Sequence, residues 1–453
     1  MKLRIAFLSA VLAASALALG ACRLASPTPT PTPLPLDQQP VVVQTAVASP
    51  VTVTSERPVV EIINEKYANY AAVSPDGRMM AWARQTGSGK DRGRELCLFT
   101  FSDAGKECYA VEGYTSYPYQ LSWSPDSDFI AFTEDPVTLG DESDIWLFKV
   151  ADKVFINRTN DGVTGSFHYA MDQGQTFNID YLPMWNKFDG HLYFWRSRPT
   201  STVFEPTLQL WKLPPAGGEP EMLADLSETF RGQLLLFQYD KFFLDGVSSI
   251  SPDGTKIAMA VMAYAQAVDS PNNGLWLVDL ANKEAAPKQL ANITDFQSGM
   301  PPWAYVPALP LGLTWTGDSQ AVVVFCNSND VQIPLNLVYH VDAASGEVRA
   351  IIDWSEEDDR EAFNTQPNDV GIPPRYYSPW SASLLPGGNT LVMYNNWAGV
   401  ATVTAMPLPP PTGTPIVIYK ANESYATYAS PWSSHSIDGK VIMSDIQFNF
   451  AVK

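Results

Sequence analysis

The chain has 453 residues, 45% hydrophobic and 17% charged, and its 29 basic and 48 acidic side chains leave a formal net charge of −19. Such a surface repels phosphate backbones and anionic headgroups, so nucleic acid is excluded as a partner and any membrane contact needs an anchor. Four cysteines without a CxxC pair and four histidines without an H-E-x-x-H pattern give no support to zinc, and no metal or cofactor is expected.

Lys2 and Arg4 precede an apolar segment from Ile5 to Ala18, too short for a comfortable bilayer span and flanked as a signal peptide is. It ends in Leu19-Gly20-Ala21-Cys22, which resembles a bacterial lipobox. The resemblance implies removal of residues 1–21 and lipidation of Cys22; the alternative is an ordinary secretory signal with an incidental cysteine. Acyl chains on Cys22 would hold the protein to the membrane, each buried CH₂ contributing about 0.8 kcal/mol. Residues 1–21 carry two basic and no acidic side chains, so the mature chain stands at −21. Residues 22–56 read as a linker. Proline alternates through "SPTPTPTPLPLDQQP", Ser26 to Pro40, which forbids helix and sheet ladders and favours a polyproline stalk. Such a stalk would hold the rest of the chain about 40 Å from the lipid.

From residue 57 to residue 453 the sequence is a series of short apolar runs. The first, "RPVVEII" at 57–63, has no hairpin of its own. Then comes Ser74-Pro75-Asp76-Gly77 before "RMMAWAR": proline presets the second position of a type I turn, aspartate tolerates the third and glycine suits the fourth. Clear copies occur at Ser124-Pro125-Asp126-Ser127 and Ser251-Pro252-Asp253-Gly254, and degenerate ones at Phe188-Asp189-Gly190, Gly317-Asp318-Ser319, Pro386-Gly387-Gly388 and Ile437-Asp438-Gly439. The seven copies are 50 to 69 residues apart. After each hairpin comes a third apolar run such as "ELCLFTF" or "GLWLVDL", and usually a fourth across a polar turn. Four short antiparallel strands per unit is the make-up of a propeller blade.

The expected fold is therefore all-β, a seven-bladed β-propeller of four-stranded antiparallel blades. Six blades result if the copy around Gly387 is a decorated loop, and eight if "VVVQTAVAS" adds a sheet. The seventh unit reaches Lys453 after its third strand, so residues 57–63 are expected to complete that blade and close the ring, since an open ring leaves two bare sheet edges.

The Ser-Pro-Asp-Gly turn before an apolar strand, with Trp just ahead of it as in Trp123-Ser124-Pro125-Asp126, resembles the TolB-type, WD40-like β-propeller repeat over residues 57–453. Similar propellers serve as docking platforms, as substrate-filtering domains of peptidases and as lyases, so the resemblance implies a fold and leaves the activity open.

Cys97 and Cys108 fall on the third and fourth strands of the first unit, where an oxidising compartment would allow a disulfide; Cys326 reads as a small buried apolar residue. His191 and His340 sit in expected strands as structural histidines, while His168 lies in a long connection and His435 beside a turn. The acidic run Asp353 to Phe363 reads as a solvated loop; a cation site there or at Asp135 to Asp144 is the alternative, although neither has the fixed ligand spacing of a calcium loop.

The connections into the first strands are rich in aromatics and proline. Tyr119, Trp185, Trp303, Tyr305, Tyr376, Tyr377, Trp380 and Trp432 are expected to ring one mouth of the central channel as ligand-binding residues; the alternative is packing within the repeat, as for Trp123 and Trp315. No G-x-S-x-G elbow or phosphate-cradling glycine loop is present, and no catalytic residue is assigned. The sequence thus reads as a monomeric, lipid-anchored, extracytoplasmic propeller that binds an envelope protein, peptide or glycan without catalysis. The alternative is an envelope hydrolase or lyase acting on polysaccharide or peptide.

Overall fold

The hairpin turns hold themselves together with their own side chains. In the first, Ser74 Oγ donates to Asp76 Oδ1 at 2.6 Å and accepts from the Met79 amide at 2.9 Å, while Asp76 Oδ1 also accepts from the Arg78 amide at 3.0 Å. The same bonds recur at Ser124, Asp126 and Phe129, at Ser251, Asp253 and Lys256, and at Thr316, Asp318 and Ala321. Threonine thus replaces serine without loss, because only the hydroxyl is used. In the unit around Asp189, Asn186 takes the hydroxyl's position and its Oδ1 accepts from the Phe188 amide.

The computed structural model describes residues 61–63, 68–86, 93–102, 105–111, 118–134, 142–163, 178–198, 207–230, 233–235, 247–263, 271–282, 285–298, 300, 309–328, 335–351, 381–384, 390–397, 400–408, 416–420, 432–435, 441–444 and 449–452. Cys22, the proline-rich stretch and the run 353–363 lie outside them.

The described strands form seven antiparallel sheets, one per hairpin unit. Sheet 1 comprises Ala68–Val73, Met79–Thr86, Gly93–Thr100 and Gly105–Ala110. Sheet 2 comprises Pro118–Trp123, Phe129–Glu134, Ile145–Lys149 and Val154–Asn157. Sheet 3 comprises Ile179–Trp185, Leu192–Ser197, Gln209–Leu213 and Glu221–Asp225. Sheet 4 contains Lys256–Ala263, Gly274–Asp279 and Lys288–Asn292, and its first strand is split. Gln233–Leu235 and Ser248–Ile250 pair end to end along Lys256–Ala263, with residues 236–247 between them, an interruption that the repeat pattern does not announce. Sheet 5 comprises Leu309–Trp315, Ala321–Ser328, Leu335–Asp342 and Val348–Ala350. Sheet 6 comprises Ser381–Leu384, Thr390–Trp397, Val400–Pro407 and Ile416–Lys420. Sheet 7 joins Trp432–His435, Val441–Ser444 and Asn449–Val452 to Glu61–Ile63 from the other end of the chain. The first strands of successive sheets touch one another in order, and that of sheet 7 touches that of sheet 1, which places them around the axis of a ring.

Apolar layers fill the spaces between sheets. Leu96 and Leu98 of sheet 1 meet Ile130, Phe132 and Phe148 of sheet 2, whose other face packs Ala131 and Leu147 on Leu192 and Phe194 of sheet 3. One continuous cluster then runs through sheets 3, 4 and 5, including Trp195, Met259, Leu277 and Tyr339. Polar pins cross the same seams. The indoles of Trp123, Trp185 and Trp315, each closing a first strand, donate to the carbonyls of Ala72, Ser122 and Ser249 in the preceding sheet at 2.9 to 3.0 Å. Each such bond contributes on the order of 1 kcal/mol net.

The fourth turn position shows how neighbouring sheets fit. Ser127 and Ser319 stand there at φ of 64° and 61°, and their hydroxyls accept from the amides of Asp76 and Asp253 in the preceding sheet. At Gly254, φ 70°, a Cβ would lie 2.7 Å from Asn186 Oδ1 and from Phe188 Cδ2, so a larger residue would push these side chains of sheet 3 back from the turn.

Ring closure rests on Glu61–Ile63, which pairs antiparallel with the last strand, Glu61 opposite Ala451 and Ile63 opposite Asn449. Deleting residues 57–63 should therefore speed hydrogen exchange at 449–452 as well as in sheet 1. Unchanged exchange in the last strand would show that the pairing is not made.

Candidate functional site

Each first strand runs from its leading end to a hairpin turn and the second strand runs back. The connection from the second to the third strand therefore returns to the leading end. At the seam of sheets 2 and 3 that connection is sewn down: Ser143 forms a parallel bridge with Ile179, its carbonyl accepts from the Asp180 amide at 2.7 Å, and its hydroxyl donates to the Asp180 carbonyl at 3.0 Å.

A buried polar layer surrounds this stitch. Asp180 is fully buried and faces Arg196 across sheet 3. Arg196 Nε and Nη2 donate to its two carboxylate oxygens at 2.6 Å each, and the guanidinium lies 4.4 Å from the centre of the Trp211 ring. Burial pushes the Asp180 carboxyl up to about 6, against the pull of Arg196. From sheet 2, Asp144 accepts from Asn157 Nδ2 at 2.7 Å and from Thr159 Oγ1 at 3.3 Å. Burial pushes its carboxyl up as well, and the charge of Asp161 adds to the effect. Asp161 accepts from the Asn178 amide and Nδ2 at 2.9 and 3.1 Å, and Asn178 Oδ1 accepts from both Nε and Nη2 of Arg198.

Of the acidic run Asp135 to Asp144, the described residues are Glu142, Ser143 and Asp144, and all three are buried. Asp180 and Arg196 were not singled out by sequence at all. The available signal was strand parity: Arg196 continues the series Leu192, Phe194, whose members face sheet 2, so a charge there requires a buried partner.

The expected aromatic ring is placed only in part. Tyr119 stands second in Pro118–Trp123 and Trp432 opens Trp432–His435, both near leading ends. Trp185 departs from expectation. It closes the seven-residue strand Ile179–Trp185 at the turn end, roughly 20 Å from the mouth at about 3.3 Å per residue. There its indole pins sheet 2 and stacks on Phe129 at 6.4 Å, so its role is that of Trp123 and Trp315. Trp303, Tyr305, Tyr376, Tyr377 and Trp380 lie outside the described residues, as does His168.

His191 lies in the turn before Leu192–Ser197 rather than in a strand, with Nδ1 2.8 Å from the Asp189 carbonyl. His340 is half-buried in Leu335–Asp342, where burial lowers its proton affinity, and His435 ends the first strand of sheet 7. Cys97 and Cys108 are direct cross-strand neighbours joined by a disulfide, and Cys326 is a buried free thiol. Glu95 lies beside the two sulfurs but is paired with Arg84, and bonded sulfurs offer no thiolate to a metal. A cavity of about 480 Å³ between the outer strands of sheets 3 and 4, lined by Leu210, Leu223, Val278 and Pro287 among others, is the wedge left as the sheets diverge toward the rim.

No protein-family model matches the sequence, and no curated protein matches it. In three dimensions the chain is similar to an oligogalacturonate lyase solved in complex with manganese, at 11% identity and TM-score 0.52, covering 87% of this chain and 96% of that one. It is similar also to the oligogalacturonate lyase of Vibrio parahaemolyticus, at 11% identity and TM-score 0.51, covering 88% and 94%. The Cps50 (Swd1) β-propeller domain of Myceliophteria thermophila is similar at 9% identity and TM-score 0.49, covering 87% and 99%. At such identities the likeness is one of fold: the chain is a β-propeller.

Removing Arg196 would strand a buried carboxylate. Arg196→Met should cost about 3–5 kcal/mol in urea unfolding, and adding Asp180→Asn should recover part of that loss. Strictly additive single and double variants would show that the two groups are not coupled.

Proposed function

We propose that this protein is a seven-bladed, lipid-anchored, extracytoplasmic propeller that binds an envelope protein, peptide or glycan at its leading end without turning it over. The observation that carries this reading is the paired polar layer at sheets 2 and 3. Asp180, Asp144 and Asp161 accept from Arg196, Asn157, Thr159 and Asn178, so they brace the mouth as a rigid platform instead of being presented to a substrate. The sequence brings aromatic and proline-rich connections to that same end, and rigid aromatics with polar tips are good anchors for peptides and sugars. The anchor rests on Leu19-Gly20-Ala21-Cys22 and on the proline-rich stretch after it.

The test is a screen of the mature protein against glycan and peptide arrays, with products monitored by mass spectrometry. Saturable binding without product is expected. Trp303→Ala should weaken binding by about 2 kcal/mol or more while leaving the Tm nearly unchanged. Release of cleaved or unsaturated product would replace this reading with the hydrolase or lyase one.

For the anchor, Cys22→Ala should move the protein from the membrane fraction to the soluble one or arrest its maturation. Unchanged detergent partitioning would rule out lipidation at that residue.

A further inference from the structure

Between the outer strands of sheets 1 and 2 the space is filled by rings. Tyr109, in the fourth strand of sheet 1, lies 5.1 Å from Phe148 in the third strand of sheet 2, and Phe148 lies 4.9 Å from Phe155 in the fourth. The Tyr109 hydroxyl donates to Glu107 on the same strand, and Lys153 Nζ donates to that carboxylate at 2.6 Å.

Counting from the turns locates the same places between sheets 3 and 4. Met79 and His191 are the residues whose carbonyls close the two turns, and four residues beyond them Ala83 faces Leu96 and Trp195 faces Leu210. The pair Leu96–Tyr109 therefore corresponds to Leu210–Ala224. In the same way Ile130–Phe148 corresponds to Ile257–Val278, and Phe155 to Pro287, one residue beyond the Leu277–Lys288 pair. Tyr, Phe and Phe have become Ala, Val and Pro, and all of these smaller residues line the cavity of about 480 Å³.

The polar end of the site is kept. Glu107 opposite Leu98 corresponds to Glu221 opposite Lys212, so the carboxylate that receives the tyrosine hydroxyl at one seam has its counterpart at the other. Lys212, on the cavity wall, brings its ammonium to 3.5 Å from Glu221. The other charged groups on that wall, Asp225 and Asp279, accept from the amides of Ser227 and of Ala281 and Asn282.

We propose that this cavity binds a small phenol with more than one ring. Its rings take the places that Tyr109, Phe148 and Phe155 fill at the other seam, against apolar walls, and its hydroxyl donates to Glu221 and accepts from Lys212. An ionised carboxylate has about four lone-pair sites, so Glu221 can hold the hydroxyl and the ammonium together. The tyrosine of a peptide would fill one ring place and leave the others empty, so a free compound of joined rings suits the volume better. The site lies between outer strands, away from the leading end, and does not depend on what binds there.

The test is calorimetric titration of the full chain with para-phenylphenol, which should bind saturably at one site. The comparison compound para-methoxybiphenyl has the same rings without the donor and should bind about tenfold or more weakly. Ala224→Tyr restores a ring and should abolish binding while the Tm holds or rises, as filling a cavity does. Glu221→Ala, at an exposed side chain, should weaken para-phenylphenol about tenfold and leave para-methoxybiphenyl unchanged. A native chain that does not bind para-phenylphenol saturably would overturn the site, as would native affinity in Ala224→Tyr or in Glu221→Ala. N-acetyltyrosinamide binding as tightly as para-phenylphenol would give the pocket to a tyrosine side chain and overturn the multi-ring ligand.

Discussion

In each well-formed turn a single hydroxyl, that of Ser74, Ser124, Ser251 or Thr316, donates to the aspartate two residues on and accepts from the amide five residues on. This fixes the crossing from first to second strand with groups that belong to the turn itself. The packing of sheets 1, 2, 4 and 5 depends on it, because the tryptophans and fourth turn residues that cross to the preceding sheet stand at fixed places beside this turn. The aspartate tightens the turn further: burial opposes its ionisation, yet the Ser74 hydroxyl and the Arg78 amide and guanidinium hold the Asp76 carboxyl below its ordinary range.

Once the turn is set, the seams are made by groups that stand at fixed distances from it. The tryptophan just before the turn reaches back to a carbonyl of the preceding sheet, and the fourth turn residue meets the preceding turn. That residue resolves the fit in two ways. Serine accepts an amide hydrogen at the cost of a left-handed backbone, and glycine at 254 admits Asn186, whose Nδ2 donates to the Gly254 carbonyl. Apolar area between the sheets provides most of the cohesion, and these bonds determine how one sheet registers on the next.

The seam of sheets 2 and 3 is built differently at its leading end. Apolar residues at Leu192 and Phe194 give way to Arg196 on the same face, and the space is closed by Asp180, Asp144, Thr159 and Ser143. A buried ion pair adds little stability over an apolar filling but is costly to break, so it suits a place where position matters more than strength. The structure thereby ties Ser143, just before the third strand of sheet 2, to the beginning of the first strand of sheet 3.

The sequence determined the hairpin turns, the strand make-up of each unit and the partner of residues 57–63. These depend on chemistry within a few residues, on repetition, and on the need to leave no bare edge. The place of the two cysteines on adjacent strands was also legible, but their direct opposition awaited the register. Trp185 was misplaced because a connection and its strand read alike in sequence, whereas the strand carries that ring to the far end. Only the tertiary structure decided that the first strand of sheet 4 is split between Gln233–Leu235 and Ser248–Ile250, since pairing along Lys256–Ala263 is a non-local fact. It alone joined Asp180 to Arg196 and buried Glu142 with Asp144. Whether a carboxylate is solvated or enclosed depends on which face of which neighbouring sheet closes over it, and a charged run written in sequence does not contain that face.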